Sequence, residues 1–111
     1  MVTGPPVAWH RVQTRNGQAF KHKADREYQA IVRQRAQLAC PIGWDRDGDF
    51  RLHFQFYLHN RRRRDLDNLV KQIMDSLNGV IYHDDSQVSQ FAASKELCKE
   101  NPRLVVEIVR L

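Results

Sequence analysis

The chain has 111 residues, enough for one domain of ordinary size and too few for two domains with a cleft between them. Its 18 lysines and arginines outnumber its 13 aspartates and glutamates, giving a formal net charge of +5 and a sequence pI of about 9.6, a field that draws polyanions. The opening MVTGPPVAWHR has no apolar run suited to secretion, and no stretch approaches the roughly 18 apolar residues of a membrane span. Cys40 and Cys98 form neither a CxxC pair nor a zinc spacing, so a reduced, cytoplasmic protein is expected.

Gly4, Pro5 and Pro6 mark a strand edge or turn at the start. Asn16-Gly17 is a tight-turn signal and predicts a small hairpin or ordered loop within Val7 to Phe20, with a basic cluster of His10, Arg11, Arg15, Lys21 and Lys23 around it. A helix is expected from Asp25, as its cap, to about Ala39, because Tyr28, Ile31, Val32, Arg35, Leu38 and Ala39 recur at helical spacing. Pro41 and Gly43 end it, and Asp45 to Asp49 reads as a turn.

In Arg51 to His59, Leu52, Phe54, Phe56 and Leu58 alternate with mostly polar residues, which predicts a strand with one buried face. A second helix is expected over Leu66 to Leu77, with Leu66, Leu69, Val70, Ile73, Met74 and Leu77 on one face and Asn78-Gly79 as its stop. Val80 to Tyr82 reads as a short extended piece leading to His83, Asp84 and Asp85, and Gln87 to Ser94 as a strand. After the break at Asn101-Pro102, Arg103 to Arg110 reads as a strand with apolar residues on both faces, and so as an inner strand or a contact with a second copy. The sum is an α+β fold, a single domain with two helices packed on one mixed sheet.

Arg61, Arg62, Arg63 and Arg64 form an unbroken run between a predicted strand and a predicted helix, followed by Asp65 and Asp67. Arginine runs are most often solvated faces or tails; the flanking elements argue against a tail. Aspartates also cap helices and favour the positive end of the helix dipole, which accounts for one of the pair but not both. Lys71, four residues after Asp67, is either half of an exposed ion pair worth about 0.2–0.5 kcal/mol or an ammonium beside a reacting phosphate. Asp84 and Asp85 either form a surface turn or return carboxylates toward Asp65. Converging carboxylates raise one another's pKa, a conflict that a divalent cation removes. Oxygen ligands suit magnesium, which acidifies bound water and polarises phosphate. These residues therefore point to metal-dependent phosphodiester cleavage. The rival reading is a non-catalytic basic DNA-binding protein of a recombination or phage system, which would not need the aspartates.

The string RRRRDLDNLVK at 61–71, followed after a helix by DDSQV at 84–88, resembles the RusA family of Holliday junction resolvases. The opening GPPVAWHRVQTRNGQAF, with a helix beginning near Tyr28, resembles that family's N-terminal segment, so the likeness covers most of the chain. The resemblance implies a homodimeric α+β enzyme that uses magnesium or manganese to cut four-way DNA junctions by paired incisions. It implies that Asp65, Asp67 and Asp85 are the catalytic and metal-binding acids, with Asp84 in a supporting position, and that Lys71 is the catalytic lysine. Arg61 to Arg64, with Arg11, Arg15, Lys21 and Lys23, are then expected to grip DNA phosphates.

Overall fold

The computed structural model describes residues 2–7, 13–15, 18–20 and 23–111, with 13–15 and 18–20 described by their backbone. In chain order the elements are β1 (Val2–Thr3), β2 (Gln13–Arg15), β3 (Gln18–Phe20), α1 (Lys23–Ala39), β4 (Phe50–Leu58), α2 (Leu66–Ser76), β5 (Val88–Leu97) and β6 (Arg103–Arg110). The main sheet has the order β1-β6-β4-β5, with β5 parallel and β6 antiparallel to β4. This is the expected mixed sheet with two helices. β6 lies between β1 and β4, and its Val105 and Val109 face the side of the sheet opposite the core.

The alternation in β4 settles the core. Phe50, Leu52, Phe54, Phe56 and Leu58 are buried on one face, and Leu52, Phe54 and Phe56 stand opposite Ile108, Val106 and Leu104 of β6. Against this face pack Leu69, Val70 and Ile73 of α2 and Tyr28 and Val32 of α1. On the other face, the guanidinium of Arg103 lies 3.7 Å from the centre of the Tyr57 ring. Tyr57, on the face of β4 opposite the core, is thus partly covered from within the chain.

The predicted hairpin is present: Gln13 pairs with Phe20 and Arg15 with Gln18, while the Asn16-Gly17 link lies outside the described residues. The first helix begins earlier than expected, and Asp25 is not its cap. Asp25 sits inside the first turn, fully buried, where Gln72 Nε2 donates to its carboxylate at 3.1 Å. The buried face of α1 is Asp25, Tyr28, Gln29 and Val32, which leaves Ile31 and Leu38 exposed. Gln29 Nε2 in turn donates to Gln72 Oε1 at 2.8 Å, so a chain of hydrogen bonds replaces the expected apolar seam between the helices. Val80 to Tyr82 is also not extended. Gly79, at φ +78°, turns the chain back, and the amides of Val80 and Ile81 both donate to the Leu77 carbonyl. The tight turn buries Val80, Ile81 and Tyr82 together, which an extended segment alternating between faces would not do.

Arg33 of α1 closes the end of α2 by donating to the carbonyls of Ser76 at 3.2 Å and Asn78 at 2.7 Å. A cation at a helix C-terminus satisfies carbonyls that have no intrahelical donor. Arg33→Ala is expected to lower unfolding free energy by roughly 1.5–3 kcal/mol, the range for hydrogen bonds to a charged group. Urea denaturation checks this; a midpoint unchanged from the wild type would refute the role.

Candidate functional site

The β4–α2–β5 crossover positions the predicted site. The loop after β4 carries Arg61 to Arg64, and Asp65 stands at the N-cap position of α2. Its backbone carbonyl accepts the first helical hydrogen bond, from the Leu69 amide at 3.2 Å, but its side chain caps nothing. The carboxylate instead lies 3.3 Å from Arg63 Nε. Capping, the ordinary explanation for an aspartate here, does not account for this side chain.

The arginine loop is folded on itself. Asn60 Oδ1 accepts from the Arg62 amide, and Arg64 Nη1 donates to the carbonyls of Asn60 and Arg62. From β5, Lys95 Nζ donates to the Arg64 carbonyl, tying the loop to the sheet edge. Asn60, the arginines and Lys95 line a depression of about 220 Å³, with Glu96 the only acid in its wall. Burial, and then the Arg62 charge, pull the Arg64 guanidinium below the usual arginine value. Crowded positive charge of this kind suits an anion.

A second depression, of about 270 Å³, is lined by Asp67, Val70, Lys71, Met74, Asp85 and Phe91. It runs along one face of α2 from Asp67 to Met74, about 10 Å at the helical rise. Asp67 accepts the neighbouring Asn68 amide at 2.9 Å. Lys71 Nζ lies 3.8 Å from the Asp75 carboxylate, an ion pair with the next turn of the helix. Asp85 opens the short 3-10 turn before β5.

Asp84 and Asp85 have different surroundings. Asp84 forms a capping box: it accepts the Ser86 amide at 3.0 Å, while Gln87 Oε1 accepts the Asp84 amide at the same distance. Hydrogen bonds from Ser86, side chain first and backbone next, hold the Asp84 carboxyl below its usual value. With a lowered folded pKa, the cap's contribution is present at neutral pH and is lost as pH falls through that value. Gln87 Nε2 also donates to the carbonyls of Arg46 and Gly48, both at 2.8 Å, anchoring the turn that presents Asp85. Burial, then the charges of Asp85, Asp75 and Asp84, push the Tyr82 hydroxyl up; that hydroxyl donates to the Met74 carbonyl at 2.7 Å.

The structure thus gathers Asp67, Lys71 and Asp85 around one depression and leaves Asp65 on the arginine loop and Asp84 in a cap. Among the described residues no group of three or more His, Cys, Asp or Glu side chains stands ready to hold a metal ion. Asp67 and Asp85 still supply the chemistry of a magnesium site, which takes one or two carboxylates and completes its shell with water and phosphate. Arg11 and Lys21 lie outside the described residues, as does the Arg15 side chain; Lys23 pairs with Glu27 at 3.7 Å. Asn60, Gln87, Phe91 and Lys95 join the site without having been singled out from sequence. Gln87 sits within the DDSQV motif, and the others carry no local signal.

Fold and site describe a small basic α+β domain that presents an arginine loop beside an acidic depression, an arrangement suited to a nucleic-acid backbone. The family model described as endodeoxyribonuclease RusA matches residues 3–109, and the chain belongs to that family. Membership makes it a DNA-binding endonuclease of a Holliday junction resolvase family, as the sequence resemblance implied. Comparison with curated proteins finds no match. No described helix is long and apolar enough to cross a membrane.

Proposed function

We propose that the protein resolves four-way DNA junctions by paired, divalent-cation-dependent incisions, with Asp65, Asp67, Asp85 and Lys71 as its catalytic set. The observation that carries this reading is the shared depression of Asp67, Lys71 and Asp85 beside a loop of four successive arginines. Arg61 to Arg64 bind phosphates on either side of the cut, with Arg11, Arg15, Lys21 and Lys23 extending the grip. Asp67 and Asp85 hold the cation, Asp65 supports them from the arginine loop, and Asp84 fixes the turn that carries Asp85. Magnesium or manganese, when bound, acidifies water and offsets charge on the phosphate. The Lys71 ammonium offsets the charge that develops as water oxygen bonds to phosphorus and the sugar oxygen leaves, taking up a proton.

Paired cuts require paired sites, so the acting species is a homodimer. The sheet face bearing Val105 and Val109 supports this: no described helix packs on it, and Val109 remains 41% exposed. Two measurements test the proposal together. Cleavage of four-way, three-way and linear substrates of shared sequence should favour the four-way junction, with cuts mapped symmetrically. Light scattering should give twice the 13.1 kDa chain mass for the free protein, and the same protein mass in addition to that of the DNA when a junction is bound. Equal cutting of all substrates would remove the junction preference, and a monomer in both conditions would remove the dimer.

A further inference from the structure

We propose that Phe91 is a stacking platform for the nucleobase beside the scissile phosphate, and that its ring selects DNA whose bases are already unstacked. The inference rests on the nuclease reading above and names the nucleotide that the site recognises.

Phe91 is on β5, opposite Leu52 of β4, on the face of the sheet that holds the core. At this position an aromatic ring would ordinarily be buried. Yet β5 is the sheet edge, and the Phe91 ring is 57% exposed, the only aromatic among the large exposed hydrophobic side chains of the described residues. Its other side meets buried Phe54, with ring centres 6.2 Å apart and planes at 75°. Such edge-to-face contacts are favourable and hold the ring's orientation. The exposed ring shares its depression with Asp67, Lys71 and Asp85. A phosphate drawn to Lys71 therefore brings its own base within reach of an apolar, π-faced wall that also includes Val70 and Met74.

Every base has a π face, so stacking on an aromatic side chain is tolerant of sequence. In continuous duplex the bases are occupied with their neighbours, and extruding one costs free energy. At a branch point that cost is reduced. The same ring then adds affinity for branched or unpaired DNA and little for duplex, which gives structure selectivity without reading a base edge.

The test uses the full chain and synthetic DNA. In Asp67→Asn protein, a fluorescent 2-aminopurine placed next to the mapped cut of a four-way junction should be quenched on binding. The quench should vanish in D67N/F91A and persist in D67N/F91W. In the otherwise wild-type protein, Phe91→Ala should cut the junction roughly 10- to 100-fold more slowly, with a much smaller change on linear duplex. Phe91→Trp should restore the junction rate. Phe91→Leu, which keeps apolar bulk but not the π face, should resemble the alanine variant; Phe91 is largely exposed, so these variants should melt near the wild type. Junction cutting by F91A at the wild-type rate, or full rescue by F91L, would overturn the proposal. So would an equal loss on all substrates accompanied by loss of the dimer, which would make the ring an interface residue. Failure of the wild-type protein itself to cut any DNA would instead refute the nuclease reading.

Discussion

Asp67→Asn and Asp85→Asn are each expected to abolish junction cleavage, while Asp84→Asn retains it within a few-fold. Asp67 and Asp85 line the depression with Lys71, whereas the Asp84 carboxylate is engaged in holding the Ser86 amide. Asparagine serves an N-cap about as well as aspartate, so D84N keeps the turn that presents Asp85. Disturbing a residue that merely supports a metal ligand typically costs about 10–100-fold, so removing a ligand charge should cost more than that. Asp65→Asn, which removes a supporting carboxylate on the arginine loop, is expected to slow cleavage by about 10–100-fold. Junction binding should persist in all of these variants, or strengthen, because each removes a negative charge that opposes the approach of a polyanion. The assay is single-turnover cleavage of a labelled junction with binding measured in parallel. Wild-type cleavage by D67N or D85N would sink the assignment. Loss in D84N equal to that in D85N would show that the two neighbours do not divide their work as their hydrogen bonds suggest.

Chelation is expected to remove activity completely, and added magnesium or manganese to restore it. The same ion should stabilise the folded chain by mass action, since it binds the assembled site and not the unfolded one. At a hundredfold excess over its dissociation constant that amounts to about 2.7 kcal/mol, on the order of 10 °C in melting temperature for a domain of this size. The shift should be absent in D67N. This variant separates binding at Asp67 and Asp85 from general screening of the basic surface, because screening would act on the variant too. Full activity in excess chelator would overturn the metal assignment, and an undiminished melting shift in D67N would place the ion elsewhere.

The elements were legible because their signals are local. The alternation of Leu52, Phe54, Phe56 and Leu58 reports a half-buried strand wherever that strand finally lies, and β4 covers almost the expected span. The arginine run and the pair Asp65 and Asp67 mark a strand-to-helix junction by composition alone, and the family motif needs no third dimension to be read. Helix α2 followed its apolar periodicity, with Leu69, Val70 and Ile73 buried. In α1 the same reasoning placed Tyr28 and Val32 correctly but put Ile31 and Leu38, which are exposed, on the buried face. A carboxylate and two glutamines lie in that seam, and hydrophobic spacing gives no weight to polar residues that satisfy one another.

Relations between segments distant in the chain were decided by tertiary packing. Sequence presents Asp84 and Asp85 as equivalent neighbours; the loop at Arg46 to Gly48, brought beside Gln87, fixes a turn that occupies one carboxylate and leaves the other in the wall of the depression. Sequence presents Asp65 and Asp67 as a pair; the helix start turns one toward Arg63 and the other toward Lys71's depression. Phe91 reads as an ordinary strand residue until the strand order makes β5 an edge and leaves the ring open. Periodicity and motif therefore determine which elements form and what chemistry the chain carries, because both are properties of neighbouring residues. Which carboxylates share a surface is set by strand order and loop anchoring, because those depend on contacts between residues that local pattern does not connect.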